Sequence, residues 1–204
     1  MKGTEISRPT FGRVPTYLRY LKALPPEMTT ISATVIAKDL GLGEVQVRKD
    51  LGSLCSLGKP KIGYPCKELI KSLEGLFTAD NGETVVIGAG RLGKALLDYD
   101  GFNEFGISAL AAFDIKVTEP EKSEGGKPIL PMEMLGDFCR EHGVKIGIIA
   151  VPTQSAQSVC NLLYENGIKS MWCFASCQLY KPADAVIRYE NMAMSLAYLK
   201  MQIK

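Results

Sequence analysis

The sequence predicts an α/β chain in two parts, an N-terminal winged helix-turn-helix and a Rossmann-like doubly wound parallel sheet, followed by a C-terminal helix. Three observations predict it. Short amphipathic helices fill the first part, strand and helix patterns alternate from Thr84 onward, and a glycine-rich turn, Gly88-Ala89-Gly90-Arg91-Leu92-Gly93, lies between the first apolar run and the helix after it. The expected divisions are residues 1–82, 83–188 and 189–204.

The helices of the first part follow from spacing. Leu18, Leu21 and Leu24 line one face of a helix that Pro15 begins and Pro25-Pro26 ends. In TTISATVIAKDLGLG, Ser32 is the expected N-cap, Val35, Ile36, Ala37 and Leu40 are the apolar residues, and Gly41 is the stop. A third helix follows in GEVQVRKDLGSLCSLG, with Val47, Leu51 and Leu54 inward and Gln46, Arg48, Lys49 and Ser53 outward. This succession is a helix-turn-helix pattern. Many small helical domains alternate such helices without touching DNA. What distinguishes this one is KPKIGY, a basic stretch punctuated by glycine and proline where a winged helix carries its hairpin. Lys59 and Lys61 are expected along a phosphate backbone while the third helix enters the major groove, and Arg13 joins this DNA-facing set. A helix over residues 67–77 closes the unit, and TADNGE, with its Asn81-Gly82 turn, is the linker.

In the second part TVVIGAG, ISALAAFDI, IGIIAV and IKSMWCF are apolar runs separated by helical pattern, as in a parallel sheet covered on both faces. The tail NMAMSLAYLKMQIK reads as a helix apolar on most of its circumference, which should be buried against something.

The glycine-rich turn carries the chemistry. Gly88 permits the tight turn, Gly90 lets a pyrophosphate approach the backbone, and Gly93 lets the helix pack on the strand. The helix N-terminus offers N–H groups to phosphates. The second run ends in Asp114, placed to hydrogen-bond ribose hydroxyls and to repel a 2′-phosphate, which favours NAD over NADP; Lys116 nearby weighs the other way. The bland alternative makes Asp114 an ordinary turn residue. Pro152 and Phe174 stand at the ends of the later strands, where a doubly wound sheet gathers ligands, with core packing as the alternative.

Composition limits the remaining classes. The 204 residues, 46% apolar and 23% charged, match ordinary globular usage rather than disorder, collagen or coiled coil. No apolar run approaches the roughly 20 residues of a bilayer span, and MKGTEISRPTFGRVP lacks the apolar stretch of a secretory signal, so the expected compartment is the cytoplasm. The net charge of +2 by itself argues against nucleic acid, but residues 1–82 carry 12 basic against 8 acidic residues and residues 83–204 carry 12 against 14. The six cysteines include no CxxC pair and read as reduced core thiols, with a Cys173–Cys177 redox pair as the alternative. The single histidine, His142, reads as a helix C-terminal residue rather than a proton donor, and no tyrosine has a lysine four positions on. Cofactor binding is signalled and turnover is not.

The order of these parts, with PTYLRYL at 15–21, QVRKDL at 46–51, IGY at 62–64, GAGRLGKALLDYDGF at 88–102, AAFD at 111–114, VPTQSAQ at 151–157 and GIKSMWCFA at 167–175, resembles the redox-sensing transcriptional repressor Rex family across nearly the whole chain. The resemblance implies a homodimer with the C-terminal helix swapped between subunits and two winged helices on palindromic operator DNA. NADH closes that dimer and releases the DNA, while NAD+ competes. It places Gly88 to Gly93 with Tyr99, Asp114, Ile115, Lys116, Val151, Pro152 and Phe174 around NADH or NAD+, and Arg48 and Lys49 on the recognition helix. Arg19, with Tyr99, belongs to the switch. The chain departs from the family at Gly52-Ser53-Leu54-Cys55 for Ser-Tyr-Phe-Gly, at Pro60-Lys61 for Arg-Gly, at Asn191-Met192-Ala193 for Asn-Val-Asp, and at Ala150 and Ser176 for Thr and Pro. At Ala193 the missing carboxylate would have faced the partner subunit's Arg19. Two further expectations stand beside the repressor: a relative with altered or lost DNA binding, and an NAD-dependent oxidoreductase.

Overall fold

The computed structural model describes residues 6–60, 62–77 and 82–203, and the chain divides into two compact units, Met1–Asp80 and Asn81–Lys204. The first comprises α1 (Arg8–Lys22), β1 (Thr30–Ile31), α2 (Ala33–Leu40), α3 (Glu44–Leu54), β2 (Tyr64–Pro65) and α4 (Cys66–Glu74). Ser32 caps α2 by accepting from the Val35 N–H at 3.2 Å, and Gly41 ends it in the left-handed region at φ 64°. The pair β1 and β2 is antiparallel, with Ile31 opposite Tyr64. Beside it, Lys59 and Gly63 exchange backbone hydrogen bonds of 3.0 and 2.9 Å and close a short wing; Lys61 lies outside the described residues. Gly63 is irreplaceable there, since its φ is +92° and a Cβ would stand 2.4 Å from the Ile31 carbonyl oxygen.

Two boundaries differ from expectation. The first helix does not begin at Pro15; it starts at Arg8, where Ser7 caps it, and carries Pro15 inside. Pro15 cannot donate to the Phe11 carbonyl, a loss set against the burial of Val14 and the contacts of Thr10 and Arg13 made by the added turns. The last helix stops at Glu74 rather than 77, capped by Gly75. Of the expected linker, residues 78–81 lie outside the described residues and Gly82 already opens a strand.

The second unit holds β3 (Gly82–Ile87), α5 (Arg91–Leu97), β4 (Ile107–Asp114), β5 (Glu121–Lys122), β6 (Pro128–Pro131), α6 (Leu135–His142), β7 (Ile146–Ile149), α7 (Thr153–Glu165), β8 (Ser170–Cys173), β9 (Val186–Tyr189) and α8 (Met192–Gln202). The sheet order is β5-β6-β4-β3-β7-β8-β9, parallel except for the β5–β6 pair. Without β5 this is the Rossmann order, and β3 and β7 flank the point where the connections reverse direction. The four apolar runs became β3, β4, β7 and β8. The strands β6 and β9 were not anticipated, because prolines bracket β6 and because edge strand β9 has no fully buried residue. Phe113, Ile149, Leu135 and Leu163 lie in the main core, and Leu97, Ile129 and Ile148 in a second cluster. None of α8 is buried: Met192, Met194, Leu196, Tyr198, Leu199 and Met201 are each 60–81% exposed.

One charge organises the first unit. Asp50, only 4% exposed, accepts from Arg13 Nε at 2.6 Å and Nη2 at 2.7 Å, from the Tyr17 hydroxyl at 2.6 Å and from the Thr10 hydroxyl at 3.0 Å. Burial opposes its charge, but the hydrogen bonds from Arg13, Tyr17 and Thr10 outweigh burial and hold the carboxyl below its ordinary range. Burial, then Asp50, pushes the Tyr17 phenol up to about 12. Breaking a buried pair on one side costs about 3–5 kcal/mol. Asp50→Asn should therefore destabilise the first unit by about that much at pH 7 in denaturant melts. A lowered carboxyl contributes stability above its unfolded pKa and loses it as pH falls through the folded value. The gap between wild type and Asp50→Asn should accordingly be constant between pH ~5 and pH ~9, below the titration of Tyr17, and close below pH ~4.

Candidate nucleotide cleft and DNA-facing helix

At the carboxyl ends of β3, β4 and β7 a cleft of about 890 Å³ opens, within the usual range for cofactor sites. Gly88, Ala89, Gly90, Asp114, Ile115, Lys116, Val151 and Pro152 line it. Its shape is set at two glycines. Gly88 has φ +100°, and a Cβ would lie 2.6 Å from the Ala150 carbonyl oxygen. At Gly93 a Cβ would lie 1.7 Å from the Gly88 carbonyl oxygen, so α5 packs on the strand only because residue 93 lacks a side chain. Gly90 differs: its φ is −69° and a Cβ there would meet nothing within 4 Å. Nothing inside the chain requires glycine at 90, and the open space beside it is where a phosphate would come against the backbone. The residues present fit a dinucleotide.

Asp114 is more than a turn residue. Its Oδ1 accepts from the Lys116 N–H at 2.9 Å, a local turn bond, but its Oδ2 accepts from the Ala89 N–H at 2.8 Å and ties the end of β4 to the glycine loop. Each oxygen keeps acceptor capacity for a ligand. The side chains of Lys94 and Glu121, together with Ser155 and Ser158, also line the cleft and were not anticipated; Lys94 lies one turn beyond Gly90, a spacing that would have shown it.

Arg91 and Leu92 open α5 outside the cleft lining. Tyr99 and Phe174, expected beside the nicotinamide, also lie outside the cleft lining; they end an aromatic ladder, with ring centroids 5.0 Å apart for Tyr99–Phe102, 6.1 Å for Phe102–Trp172 and 4.4 Å for Trp172–Phe174. His142 ends α6, its Nδ1 3.0 Å from the Phe138 carbonyl oxygen and its ring stacked on Phe138, away from the cleft lining. All six cysteines are free, and burial pushes the Cys173 thiol up. Among the described residues no cluster suited to a metal occurs.

In the first unit α3 buries Val47, Asp50, Leu51 and Leu54 and exposes Gln46, Arg48 and Lys49. Arg48 pairs with Glu44 on its own helix. Arg48 and Lys59 line a shallow cleft of about 420 Å³ with Ser32, Thr34 and the wing. Arg13 is committed to Asp50 through Nε and Nη2, and Gln46 accepts from its Nη1 at 3.1 Å when its amide is oriented to match. Ser53 is half-buried and donates to the Asp50 carbonyl at 2.8 Å. Arg19 is exposed on α1, and Ala193 on α8.

The glycines separate fold from ligand. Gly93→Ala should destabilise the second unit by about 1–3 kcal/mol or more, as overpacking against backbone does. Gly90→Ser keeps an N-cap residue and should leave stability within about 0.5 kcal/mol while weakening NADH binding at least about tenfold, a loss of about 1.4 kcal/mol. Thermal melts and titration calorimetry of the two variants check both statements.

Two family models match the chain: a CoA binding domain over residues 79–177, and a model of N-terminal segments assigned to DNA-binding proteins over residues 5–52. The redox-sensing transcriptional repressor Rex of Desulforamulus reducens is 35% identical over 100% of this chain and 98% of its own. That of Carboxydothermus hydrogenoformans is 37% identical over 100% and 99%, and that of Treponema denticola 38% over 94% and 92%. Among solved structures, the Rex-family repressor RSP in complex with β-NAD+ and operator DNA matches at TM-score 0.88 and 28% identity, covering 98% of this chain and 93% of that one. RSP in complex with β-NADH matches at TM-score 0.85 and 28% identity over 98% and 95%. With relatives this similar over its full length, the chain belongs to the redox-sensing transcriptional repressor Rex family.

Proposed function

We propose that this protein is a transcriptional repressor that binds palindromic operator DNA as a homodimer and is released by NADH, so that it reads the NADH/NAD+ ratio. The observation that carries the reading is Gly90, a glycine the fold does not need, set beside Asp114 on a chain that also presents the exposed cations of α3. Support comes from RSP, a family member crystallised with β-NAD+ and operator DNA and with β-NADH.

On this reading residues 1–82 bind DNA, 83–188 bind the nucleotide and 189–204 join two copies. Gly88, Ala89, Gly90, Arg91, Leu92 and Gly93 form the pyrophosphate turn, Asp114 takes the ribose, and Ile115 and Lys116 border the adenosine. Val151, Pro152, Tyr99 and Phe174 belong to the nicotinamide half. Gln46, Arg48, Lys49 and Ser53 face the major groove, Lys59 and Lys61 the phosphates, and Arg13 braces them through Asp50. Arg19 and Tyr99 belong to the switch. The exposed apolar side chains of α8 are covered by a second copy of the chain, the arrangement an unburied helix of this composition requires. Action on DNA would place the protein in the cytoplasm; among the described residues no helix is long and apolar enough to cross a membrane.

The nucleotide acts as an effector: a ligand moves an equilibrium between two forms only by its differential affinity for them. Palindromic duplexes selected from a random library should bind the dimer with an affinity that falls steeply with salt, about 0.9 decade per decade of salt for each phosphate neutralised. NADH in the gel shift should release the duplex and NAD+ should not; binding unchanged under saturating NADH would refute the sensor. The double substitution Leu196→Glu with Leu199→Glu should give monomers in sedimentation velocity and lower operator affinity by roughly 10²- to 10⁴-fold, the avidity of two linked half-sites.

A further inference from the structure

The outward face of α3 is not uniformly polar. With Val47, Leu51 and Leu54 in the core, helical spacing puts Val45, Arg48, Lys49 and Gly52 on one exposed stripe. Val45 is 64% exposed in the first turn of the helix. It contributes nothing to the core described above, in contrast to Val47 two residues on, which is fully buried.

Gly52 is a second anomaly on the same stripe. Its φ is not positive, and a Cβ there would meet nothing within 4 Å, so the fold accepts any side chain. A glycine inside a helix costs about 1 kcal/mol relative to alanine. Bare backbone at that point lets a neighbouring surface come close to the helix.

The chemistry of the stripe selects the neighbour. A protein-binding helix presents a continuous row of apolar anchors, whereas here one branched apolar side chain stands beside two cations. The major groove offers a matching pattern, since its one apolar group is the thymine C5-methyl, set among phosphates and polar base edges. Recognition helices bring their N-terminal residues to base edges, and Val45 is the second residue of α3. We infer that Val45 is a specificity-determining residue that packs against a thymine methyl in each operator half-site. The inference rests on the operator-binding function proposed above and adds the base feature that is read.

The test uses the full-length protein and the palindromic duplex it enriches from a random library. Thymines are replaced in symmetric pairs by deoxyuridine, which removes only the methyl, and wild type is compared with Val45→Ala by gel shift. One pair should weaken wild type by about fourfold per half-site, the value of one buried methyl-sized group. Val45→Ala should bind the thymine duplex more weakly by a similar factor and should not distinguish it from the deoxyuridine duplex. Val45 is exposed, so melting temperatures should agree, which excludes a folding defect. Operator binding with no methyl-sensitive thymine, or equal discrimination by Val45→Ala, would overturn the role of Val45 and leave the repressor intact. Failure to enrich any duplex would overturn both.

Discussion

The second unit depends on one backbone approach. The start of α5 comes so near the end of β3 that a Cβ on Gly93 would lie 1.7 Å from the Gly88 carbonyl oxygen, and Gly88 is itself held under the Ala150 carbonyl in a left-handed turn. Both ends of the loop are therefore fixed by packing before any ligand arrives, and Asp114 fixes its middle through the Ala89 N–H. What remains adjustable is Gly90, whose missing side chain serves no contact within the chain. A site built this way is preorganised: little conformational entropy remains to be lost on binding.

The first unit solves a different problem with a buried charge. Asp50 lies inside the same six-residue string, QVRKDL, that supplies Gln46, Arg48 and Lys49 to the surface. With its carboxylate bound to Thr10, Arg13 and Tyr17 of α1, α3 can take only one rotation about its own axis. A buried ion pair is weak evidence for net stability, so its value here is in setting which residues face outward. A half-turn slip would bury Lys49 without a partner and take Asp50 away from Arg13, a state several kcal/mol higher.

These two cases show why some features were legible in the sequence and others were not. Ser32, Gly41, the inward trio Val47, Leu51 and Leu54, and the glycine turn with Asp114 are all set by spacing within a helix or within one βαβ unit, and spacing is visible in a string. The start of α1 was misplaced although Ser7 and Pro9 offer a local start signal, because Pro15 reads as a first-turn residue and the contact that outweighs its missing N–H is to an acid 37 residues from Arg13. The strand β9 escaped because a sheet edge relaxes the demand for an apolar run, so that VIRY reads as loop, and β6 escaped because its apolar stretch is two residues held between prolines, although it pairs on both sides inside the sheet. Lys94 was visible in principle, since it follows Gly90 by one helical turn.

The cleft raises a question about redox sensing that its own residues answer only in part. Adenosine, ribose and pyrophosphate are common to NADH and NAD+, so on the proposed assignment neither the glycine turn nor Asp114 can discriminate between them. Discrimination belongs to the nicotinamide ring, which is cationic when oxidised and neutral when reduced. The side chains assigned to it, Val151, Pro152, Tyr99 and Phe174, are apolar or aromatic and carry no charge, and Phe174 leans on Trp172 at 4.4 Å. Two effects compete there. An aromatic face attracts a cation by about 0.5–2 kcal/mol, while removing an unpaired charge from water costs several kcal/mol and grows with enclosure. An open pocket therefore tolerates NAD+, and a closed one favours NADH. On the proposed reading, closure and reduction then stabilise each other by linkage, and sensitivity to redox state would be set by how completely a closed dimer excludes water from that ring.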